Sequence, residues 1–433
     1  MPIVRSSGSA GAESIMGSSS VFDSDVLVVG GGPAGCSAGI LTARQGCRVN
    51  ILEKNPQGHH KVCGDLLGPR ALYLLQALQI GWPGSECHGL PIQGIHVYDD
   101  KRLKSAARFQ AAGEEHAWGM TLRRDHLDGF LLERAEEAGC TVFHGVRFKG
   151  IVERDVRGIV CVAETRQGDR FFRARMLLGA DGVHSATARA AGLYQRNAKS
   201  RILAVRGYFR NVAGLRDAVE LYFLPHLLPG YAWVIPLGED LANIGLGLRA
   251  DACMQGGVHL ARELDRFVKE HPHLSRRLQE AQSVGRPQAS AIGTYGQRIR
   301  RAAPHVLLMG DAGGFADPLS GEGIFGAIQS ARMAAGVVKE AFAQDNFTEG
   351  FLAGYEERCK KPFDGAYRYA AFLAGLPVRD GPWKPVVRWG LNQVEKNCLV
   401  DSQYARMVAG FFTGMVARKR IWSTRWFRRT LLG

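Results

Sequence analysis

The sequence has no long apolar run, no paired pattern of cysteines and no Cys/His cluster with zinc-ligand spacing. The nearest candidate for an apolar run, Met407–Ala417, is 11 residues long, whereas a helix that spans a bilayer needs about 20. The nine cysteines are an odd number, which favours reduced thiols in the cytosol over a disulfide framework. We therefore predict no membrane-spanning helix and no metal site of the zinc type.

Acidic residues are scarce relative to basic ones, with 41 Asp and Glu against 55 Lys and Arg and a net charge of +14. Residues 401–433 contain seven basic residues and Asp401, so this tail carries +6 of the total. The sequence has no basic arm together with the fold signature of a nucleic-acid-binding protein. We therefore predict no nucleic-acid partner. Residues 1–20 are rich in Ser, Gly and Ala and lack the apolar core of a signal peptide. We expect a disordered leader over residues 1–22.

A dinucleotide fingerprint lies near the start of the chain. An apolar strand leads into Gly30-x-Gly32-x-x-Gly35, and a helix, a second strand and Glu53 follow in the required order. The first glycine makes the turn, the second lets the backbone meet the pyrophosphate, and the third packs the helix on the strand. The acid accepts hydrogen bonds from ribose hydroxyls. The predicted cofactor-binding residues of this stretch are Gly30, Gly32, Pro33, Ala34, Gly35, Glu53 and Lys54.

Two later apolar strands also end in Gly and Asp. One is followed by Gly310-Asp311 and a Gly-rich loop, and the other by Asp181-Gly182. An Asp at a strand end can accept from a polyol, and a helix N-terminus offers partial positive charge. We predict that Asp311 binds the ribityl chain or ribose of a flavin, and that the helix over 322–342 begins at the pyrimidine edge of its ring. The predicted cofactor-binding residues here are Asp181, Gly310, Asp311, Pro318, Gly321, Gly323 and Ile324.

Two further residues between these motifs have open roles. Cys63 lies with Gly64 in a short loop, where a lone cysteine is commonly a small, inert apolar side chain. A helix predicted from about Thr121 to Ala138 carries Arg124 in its first turn. Arg124 either reaches a flavin phosphate or is a solvated helix residue, and the local sequence does not decide between the two.

The order and spacing of the three Gly/Asp motifs are similar to those of single-FAD flavoproteins related to aromatic hydroxylases. Within that superfamily the chain most resembles the geranylgeranyl reductase family, over roughly residues 24–375. Cys63-Gly64-Asp65, with Pro69-Arg70-Ala71 behind it, is similar to that family's Cys-Gly loop beside the flavin. Pro229-Gly-Tyr231-Ala-Trp233-Val-Ile235-Pro236, followed by Ile244-Gly245, resembles its substrate motif.

The chain departs from that family pattern at three positions. The family typically has Phe where Ile235 stands and Val where Ile244 stands. A basic residue often found three positions after Ser185 is displaced here to Arg189. The first two changes keep the apolar character of the motif, whereas the third leaves the role of Arg189 open.

The resemblance implies an α/β flavoprotein that reduces isolated C=C bonds of an isoprenoid chain with hydride from reduced FAD. Cys63 is then the predicted catalytic residue, for proton management or flavin tuning, and Cys63, Gly64 and Arg124 join the cofactor site. Large apolar side chains suit an isoprenoid, although such aromatics also occur as ordinary core residues. The predicted substrate residues are Tyr231, Trp233, Pro236 and Gly245. Since there is no second dinucleotide fingerprint, the reductant is NAD(P)H docking transiently or a separate electron carrier.

The predicted architecture is a Rossmann-type FAD-binding domain with an inserted antiparallel-sheet substrate domain and a helical C-terminal region. The FAD-binding domain is expected over 23–91, 120–198 and 285–345. The substrate domain is expected over 92–119 and 199–284, and the C-terminal region with its basic amphipathic tail over 346–433. Aromatic and basic residues in the tail favour peripheral contact with the cytoplasmic face of a membrane. A helix packed on the body of the protein with a solvated basic face is the alternative.

Other functions stay open at the level of sequence. An FAD-dependent monooxygenase, a hydroxylase or epoxidase of a prenylated or polycyclic metabolite, uses the same scaffold but passes electrons to oxygen. A flavin-dependent halogenase is a related hypothesis. Enzymes of that group have the motif Trp-x-Trp-x-Ile-Pro, which differs only at its first position from Tyr231-Ala-Trp233-Val-Ile235-Pro236. A non-catalytic FAD-binding protein that holds a hydrophobic ligand is the third.

Overall fold

A computed structural model describes residues 21–56, 61–82, 89–100, 103–109, 118–195, 197–296 and 299–375, together with residues 389, 396 and 397. The leader over 1–20 and the basic tail over 401–433 lie outside the described residues. Among the residues that are described, no helix is both long and apolar enough to cross a membrane.

The described chain contains twenty strands and ten α-helices, together with two short 3-10 helices. The strands are β1 (Val21–Asp23), β2 (Val26–Val29), β3 (Val49–Glu53), β4 (Leu66–Leu67), β5 (Leu90–Ile92), β6 (Gly94–Tyr98), β7 (Leu103–Arg108), β8 (Gly119–Thr121), β9 (Thr141–His144), β10 (Arg147–Asp155), β11 (Gly158–Thr165), β12 (Gly168–Ala174), β13 (Met176–Gly179), β14 (Arg201–Arg210), β15 (Ala218–Tyr222), β16 (Tyr231–Pro236), β17 (Ala242–Arg249), β18 (Gln282–Gly293), β19 (Ala302–Ala303) and β20 (Val306–Leu308). The α-helices are Pro33–Ala43, Pro69–Ala77, Arg124–Glu137, Ala186–Ala190, Ala250–Gln255, Leu260–Glu270, Leu274–Arg277, Ile324–Ala343, Glu349–Leu352 and Gly354–Ala374.

A six-stranded sheet in the order β19-β20-β13-β2-β3-β9 forms the centre of the nucleotide-binding part. All its neighbours are parallel except β19 and β20. Strands β2 and β13 are buried along their whole length, as expected for a parallel sheet with both faces covered. The helices Pro33–Ala43 and Ile324–Ala343 pack against each other in the same apolar core. The dinucleotide-binding arrangement predicted from the sequence is therefore present.

A seven-stranded sheet in the order β18-β14-β17-β16-β15-β6-β7 forms the second part. Its neighbouring strands are antiparallel except β15 and β6, which are parallel. The sequence places a domain boundary at residue 285, whereas β18 pairs with β14 as far as Gly293. The register of this pairing shifts between Val284 and Gln288, where the sequence suggested a return to the first domain.

Two smaller sheets correct two further boundaries. The predicted leader ended at residue 22, but Val21 and Phe22 belong to β1 and pair with β12. Phe22 packs between the rings of Phe143 and Phe172, at 5.0 and 5.2 Å, so burial of its ring accounts for the early start. The helix predicted from Thr121 begins at Arg124 instead, because Thr121 lies in β8 and its hydroxyl donates to the carbonyl of Pro236 at 2.6 Å.

Candidate cofactor and substrate site

The carboxyl ends of β2, β13 and β20 lie side by side in the parallel sheet. Gly179 pairs with Val29 on one side and with Leu308 on the other. The turns that follow these strands begin at Gly30, Ala180 and Met309, so the three Gly/Asp motifs of the sequence meet along one edge. Ligands of such sheets bind at this edge.

The glycines of the fingerprint have the geometry that their predicted roles require. Gly30 has φ +105°, and a Cβ there would lie 2.5 Å from the carbonyl oxygen of Ala180. A Cβ on Gly35 would lie 1.8 Å from the carbonyl oxygen of Gly30, which explains the close approach of the helix to the turn. At Gly32 the nearest atom to such a Cβ is Nη2 of Arg124, at 3.9 Å. The turn is therefore a cradle with open space beside it, and these residues fit a pyrophosphate.

The predicted acid at the end of β3 is held against this turn. Glu53 accepts from the backbone N–H of Gly31 at 2.8 Å through Oε2. Its Oε1 accepts from the backbone and side chain of Asn55, at 2.8 and 2.7 Å. The next residue, Lys54, is exposed. The position of Glu53 beside the turn agrees with the predicted ribose contact, which stays a prediction.

Asp181 and Asp311 differ in what their carboxylates contact. Asp181 accepts from the hydroxyl of Ser185 at 2.5 Å and from the backbone N–H of Thr187 at 2.9 Å, so it shapes the turn after β13. Asp311 is largely buried and forms an ion pair with Lys61, with Nζ and Oδ2 2.9 Å apart. Lys61 belongs to the cysteine loop, so this pair links that loop to the end of β20.

The loop before the helix Ile324–Ala343 lies directly beside Asp311. A Cβ on Gly323 would lie 3.4 Å from Oδ1 of Asp311. Gly310 has φ +53°, its N–H donates to the hydroxyl of Ser330 at 3.0 Å, and a Cβ there would lie 3.0 Å from the Cβ of Ala34. The predicted flavin-binding segment thus meets the start of the first helix, as one site requires.

Arg124 is buried rather than solvated. Only 4% of its side chain is exposed, and its guanidinium forms an ion pair with the equally buried Asp128 at 2.8 Å. It also contacts the thiol of Cys63. The solvated alternative for Arg124 is therefore wrong, and the guanidinium lies next to the open space at Gly32. Its predicted contact with a flavin phosphate stays a prediction.

The thiol of Cys63 is partly buried beside this guanidinium. Burial raises its pKa above the ordinary value, and the positive charge of Arg124 opposes that rise only in part. Cys63 is therefore a neutral thiol at neutral pH. A thiol in this state can donate a proton but is a poor nucleophile.

Asp65 anchors the cysteine loop to the seven-stranded sheet. It is fully buried, has φ +59°, and accepts from the hydroxyl of Tyr208 and from the amide of Asn243, both at 2.8 Å. The same amide donates to the carbonyl of Cys63 at 2.7 Å, and its oxygen accepts from the indole N–H of Trp233 at 2.9 Å. Burial raises the pKa of Asp65, and these hydrogen bonds partly counter the rise. One asparagine thus connects the cysteine loop with the aromatic strand.

A cavity of about 170 Å³ lies between the seven-stranded sheet, the cysteine loop and the segment after β20, and it is lined mainly by apolar side chains. Its wall includes Cys63 and Gly64, the aromatic residues Tyr231 and Trp233 of β16, and the segment Pro318–Ile324. The tyrosine hydroxyl donates to the carbonyl of Ser320, which joins the sheet to that segment. The predicted cysteine loop, flavin-binding segment and aromatic wall therefore border one space.

The other two predicted substrate residues support the wall instead of lining it. A Cβ on Gly245 would lie 2.4 Å from Cζ2 of Trp233, so glycine is needed beneath the indole. Pro236 ends β16 and accepts from Thr121 through its carbonyl. Arg189, displaced in the sequence, lies over the ring of Tyr194 at 4.8 Å, at the surface of the protein.

Known proteins have sequences similar to this one. Residues 23–363 match the family described as FAD binding domain. A digeranylgeranylglycerophospholipid reductase of Methanopyrus kandleri is 32% identical over 381 residues, which cover 86% of this chain and 94% of that protein. The chain belongs to the geranylgeranyl reductase family. A reductase of the same name from Thermoplasma volcanium is 31% identical over 346 residues, 78% of this chain and 84% of its own.

Solved structures have the same fold. A geranylgeranyl bacteriochlorophyll reductase-like protein of Thermoplasma acidophilum superposes with a TM-score of 0.76 at 26% identity, over 93% of this chain and 99% of its own. A flavin-dependent halogenase shares the fold at 20% identity, with a TM-score of 0.67 over 94% of this chain and 72% of its own. The predicted family, fold class, FAD cofactor and oxidoreductase activity are confirmed.

Several site residues of this geranylgeranyl reductase family member escaped the sequence reasoning. They are Lys61, Asp65, Tyr208, Asn243 and Glu322. Asn243 directly precedes the Ile244-Gly245 of the substrate motif, and Glu322 stands between two glycines that were themselves predicted. A polar residue at an otherwise apolar strand position was the signal for Asn243, because a buried amide needs partners.

Gly35→Ala tests the close packing at the fingerprint. Since the added Cβ meets the Gly30 carbonyl, we expect a loss of about 1–3 kcal/mol in stability and weaker FAD retention. Gly129→Ala is the matched control, because nothing lies within 4 Å of its Cβ position in the helix Arg124–Glu137. This control should gain roughly 0.5–1 kcal/mol. Thermal unfolding and FAD absorbance after gel filtration measure both effects, and indistinguishable variants would contradict the packing argument.

Proposed function

We propose that this protein reduces isolated carbon–carbon double bonds in the isoprenoid chains of a lipid or prenyl quinone. One observation carries the proposal: a single apolar cavity is bordered by the predicted flavin-binding segment, the Cys63 loop and the aromatic strand β16. The names of the relatives, digeranylgeranylglycerophospholipid reductases, support an isoprenoid substrate.

The chemistry explains why an apolar enclosure suits this reaction. An unactivated alkene has no carbonyl group to polarise, so the site must exclude water and hold the double bond in a reactive geometry. Bound FAD supplies hydride when reduced, and protein groups position the substrate and manage the proton. Tyr231 and Trp233 offer flat apolar surface to the chain, and Cys63 and Gly64 line the same cavity.

Two kinds of electron donor are compatible with a chain that has one dinucleotide-binding motif. The sequence contains no second dinucleotide fingerprint, so NAD(P)H docks transiently or a separate electron carrier delivers the electrons. The net charge of +14 suits an acidic carrier. Stopped-flow reduction by NADPH and by an acidic ferredoxin-type carrier compares the two donors directly.

An anaerobic half-reaction tests the function. The purified protein is reduced with dithionite and mixed, without oxygen, with a geranylgeranyl lipid or a prenyl quinone. We expect the flavin to reoxidise and the product to be heavier by two hydrogens. Flavin that stays reduced until oxygen arrives, with a product that gains an oxygen atom, would instead establish the monooxygenase alternative. Flavin that reacts with none of these alkenes would favour a non-catalytic FAD-binding protein.

We further propose that the basic tail binds an anionic membrane reversibly. Written as a helix, the tail has Trp422, Trp426, Phe427 and Leu431 on one side and Arg418, Arg425 and Arg429 on the other. Each basic residue near an anionic surface adds about 1 kcal/mol. Deletion of residues 418–433 should abolish co-sedimentation with phosphatidylserine vesicles. The folding and the FAD content of the protein should stay unchanged. Unchanged co-sedimentation of the truncated protein would contradict the proposal.

A further inference from the structure

Among the described residues that line the cavity, Glu322 contributes the one carboxyl group. Glu322 lies between Gly321 and Gly323, just before the helix Ile324–Ala343, and lines the same cavity as Tyr231 and Trp233. Its Oε1 accepts from the backbone N–H of Phe325 at 2.7 Å. A carboxyl group in an apolar wall costs free energy unless it is neutral or paired, so its presence there needs an explanation.

The other ionisable groups of the described wall are weaker acids than a carboxyl group and stay protonated near neutral pH. Arg249 is a permanent cation that binds Asp251 and the carbonyl of Ala374. Tyr231 donates to Ser320, and burial raises the pKa of its hydroxyl. Burial likewise raises the pKa of the Cys63 thiol. Glu322 is the group that remains.

Polar and charged groups from four neighbouring elements act on this carboxyl. Burial raises the pKa of Glu322 to about 7, and Asp317 in the preceding loop adds to the rise. The N–H groups of the following helix and Arg70, from the helix Pro69–Ala77, oppose it. Arg70 itself lies over the ring of Phe325 at 3.7 Å, and Tyr231 faces the carboxyl from β16. Glu322 therefore keeps a protonated fraction near neutral pH, and this fraction falls as pH rises.

We propose that the carboxylic acid of Glu322 donates the proton to the alkene carbon that does not receive the hydride. The inference rests on the proposed function. In the reduction the π bond breaks and two C–H bonds form. One forms with the electron pair of a hydride from reduced flavin, which becomes oxidised flavin. The other forms with the proton of Glu322, which is left as a carboxylate and regains a proton from solvent.

A carboxylic acid near its pKa suits this step. A general acid works best when its pKa lies close to the working pH, and such groups contribute typically 10²–10⁴-fold to rate. The thiol of Cys63 contacts Arg124, and the backbone carbonyl of Cys63 accepts from the amide of Asn243. In this scheme Cys63 positions and tunes the flavin. The two residues have separable roles in this scheme.

Glu322→Gln separates proton donation from the structural role of the side chain. The amide oxygen can still accept from Phe325, but the amide is not an acid. Glu340→Gln is the control, because Glu340 lies on the helix that follows and is exposed, paired with Arg358. Each protein is loaded with FAD, reduced and mixed anaerobically with a geranylgeranyl lipid between pH 5 and 9.

For the wild type and the control, we expect the rate of flavin reoxidation to fall above about pH 7. In Glu322→Gln that pH limb should disappear and the rate should fall by about 100-fold or more, with FAD content unchanged. Independently of activity, an infrared pH titration should show a protonated carboxylic acid that titrates near pH 7 in the wild type and is missing in Glu322→Gln.

The outcomes distinguish this inference from the proposed function. If the lipid reoxidises wild type and Glu322→Gln at the same rate with the same pH profile, the role of Glu322 is overturned while the reductase function stands. If the lipid reoxidises neither the wild type nor the control at any pH, the reductase function fails and the inference fails with it.

Discussion

The Arg124→Met variant should lose about 3–5 kcal/mol of stability, because it leaves a buried carboxylate without its partner. Arg124 and Asp128 are 4% and 1% exposed, and the guanidinium donates to both carboxylate oxygens at 2.8–2.9 Å. A methionine of similar length fills the space but offers no charge. Since Arg124 also contacts Cys63 and lies beside Gly32, FAD binding should weaken as well.

Urea unfolding of the apoprotein and titration with FAD measure the two effects. Arg266→Met is the matched control, because Arg266 and Glu270 form a pair of the same i,i+4 spacing at 57% and 67% exposure. It should cost less than about 1 kcal/mol. Adding Asp128→Leu to Arg124→Met removes the orphaned charge and should restore much of the stability. If Arg124→Met alone were as stable as Arg266→Met, the Arg124–Asp128 pair would not be buried as the structure indicates.

Asn243→Leu should cost about 3–6 kcal/mol, because one buried amide satisfies three other buried groups. The variant leaves the Trp233 indole N–H, the Cys63 carbonyl and one oxygen of Asp65 without that partner. Each buried polar group that loses its hydrogen bond costs roughly 1–3 kcal/mol. The cysteine loop should also detach from the aromatic strand, so the fluorescence of Trp233 and the FAD content should both change.

Tyr208→Phe provides a graded comparison for this variant. It removes only the hydroxyl that donates to Asp65 at 2.8 Å and should cost about 1–2 kcal/mol. Chemical unfolding of both variants in the same buffer compares their losses in the free energy of unfolding. If Asn243→Leu were no more destabilising than Tyr208→Phe, the amide would not connect the loop and the strand as the distances indicate.

The Asn243→Leu deficit should also depend on pH. Burial raises the pKa of Asp65 in the folded protein above its unfolded value, and the hydrogen bond from Asn243 lowers it. Without that bond the folded-state pKa rises further. A carboxyl group with a raised folded-state pKa stabilises the protein at low pH and loses that contribution as pH rises through this pKa. The deficit relative to wild type should therefore be smaller at pH 5 than at pH 8.

Local features of this chain are readable from its sequence, whereas long-range contacts are not. Gly30 and Gly35 were predictable because their roles depend on a turn and a helix that are continuous in the chain. The ends of β2, β13 and β20 were predictable as neighbours, since parallel strands ending in the same motif serve one ligand. Boundaries were less reliable: Phe22 joined β1 through ring packing, and β18 ran past residue 285 through pairing with β14.

The sequence by itself determined the family, the parallel nucleotide-binding sheet, the FAD cofactor and the aromatic strand. Each of these depends on a short motif or on the periodic spacing of apolar residues, which are continuous in the chain. The tertiary structure alone decided how the motifs act together. Arg124 proved to be buried with Asp128, Asn243 proved to hold the Cys63 loop, and Glu322 proved to line the cavity. The burial, charge and hydrogen-bond partners of a side chain depend on residues far away in the chain, and these come together only when the two sheets close around the site.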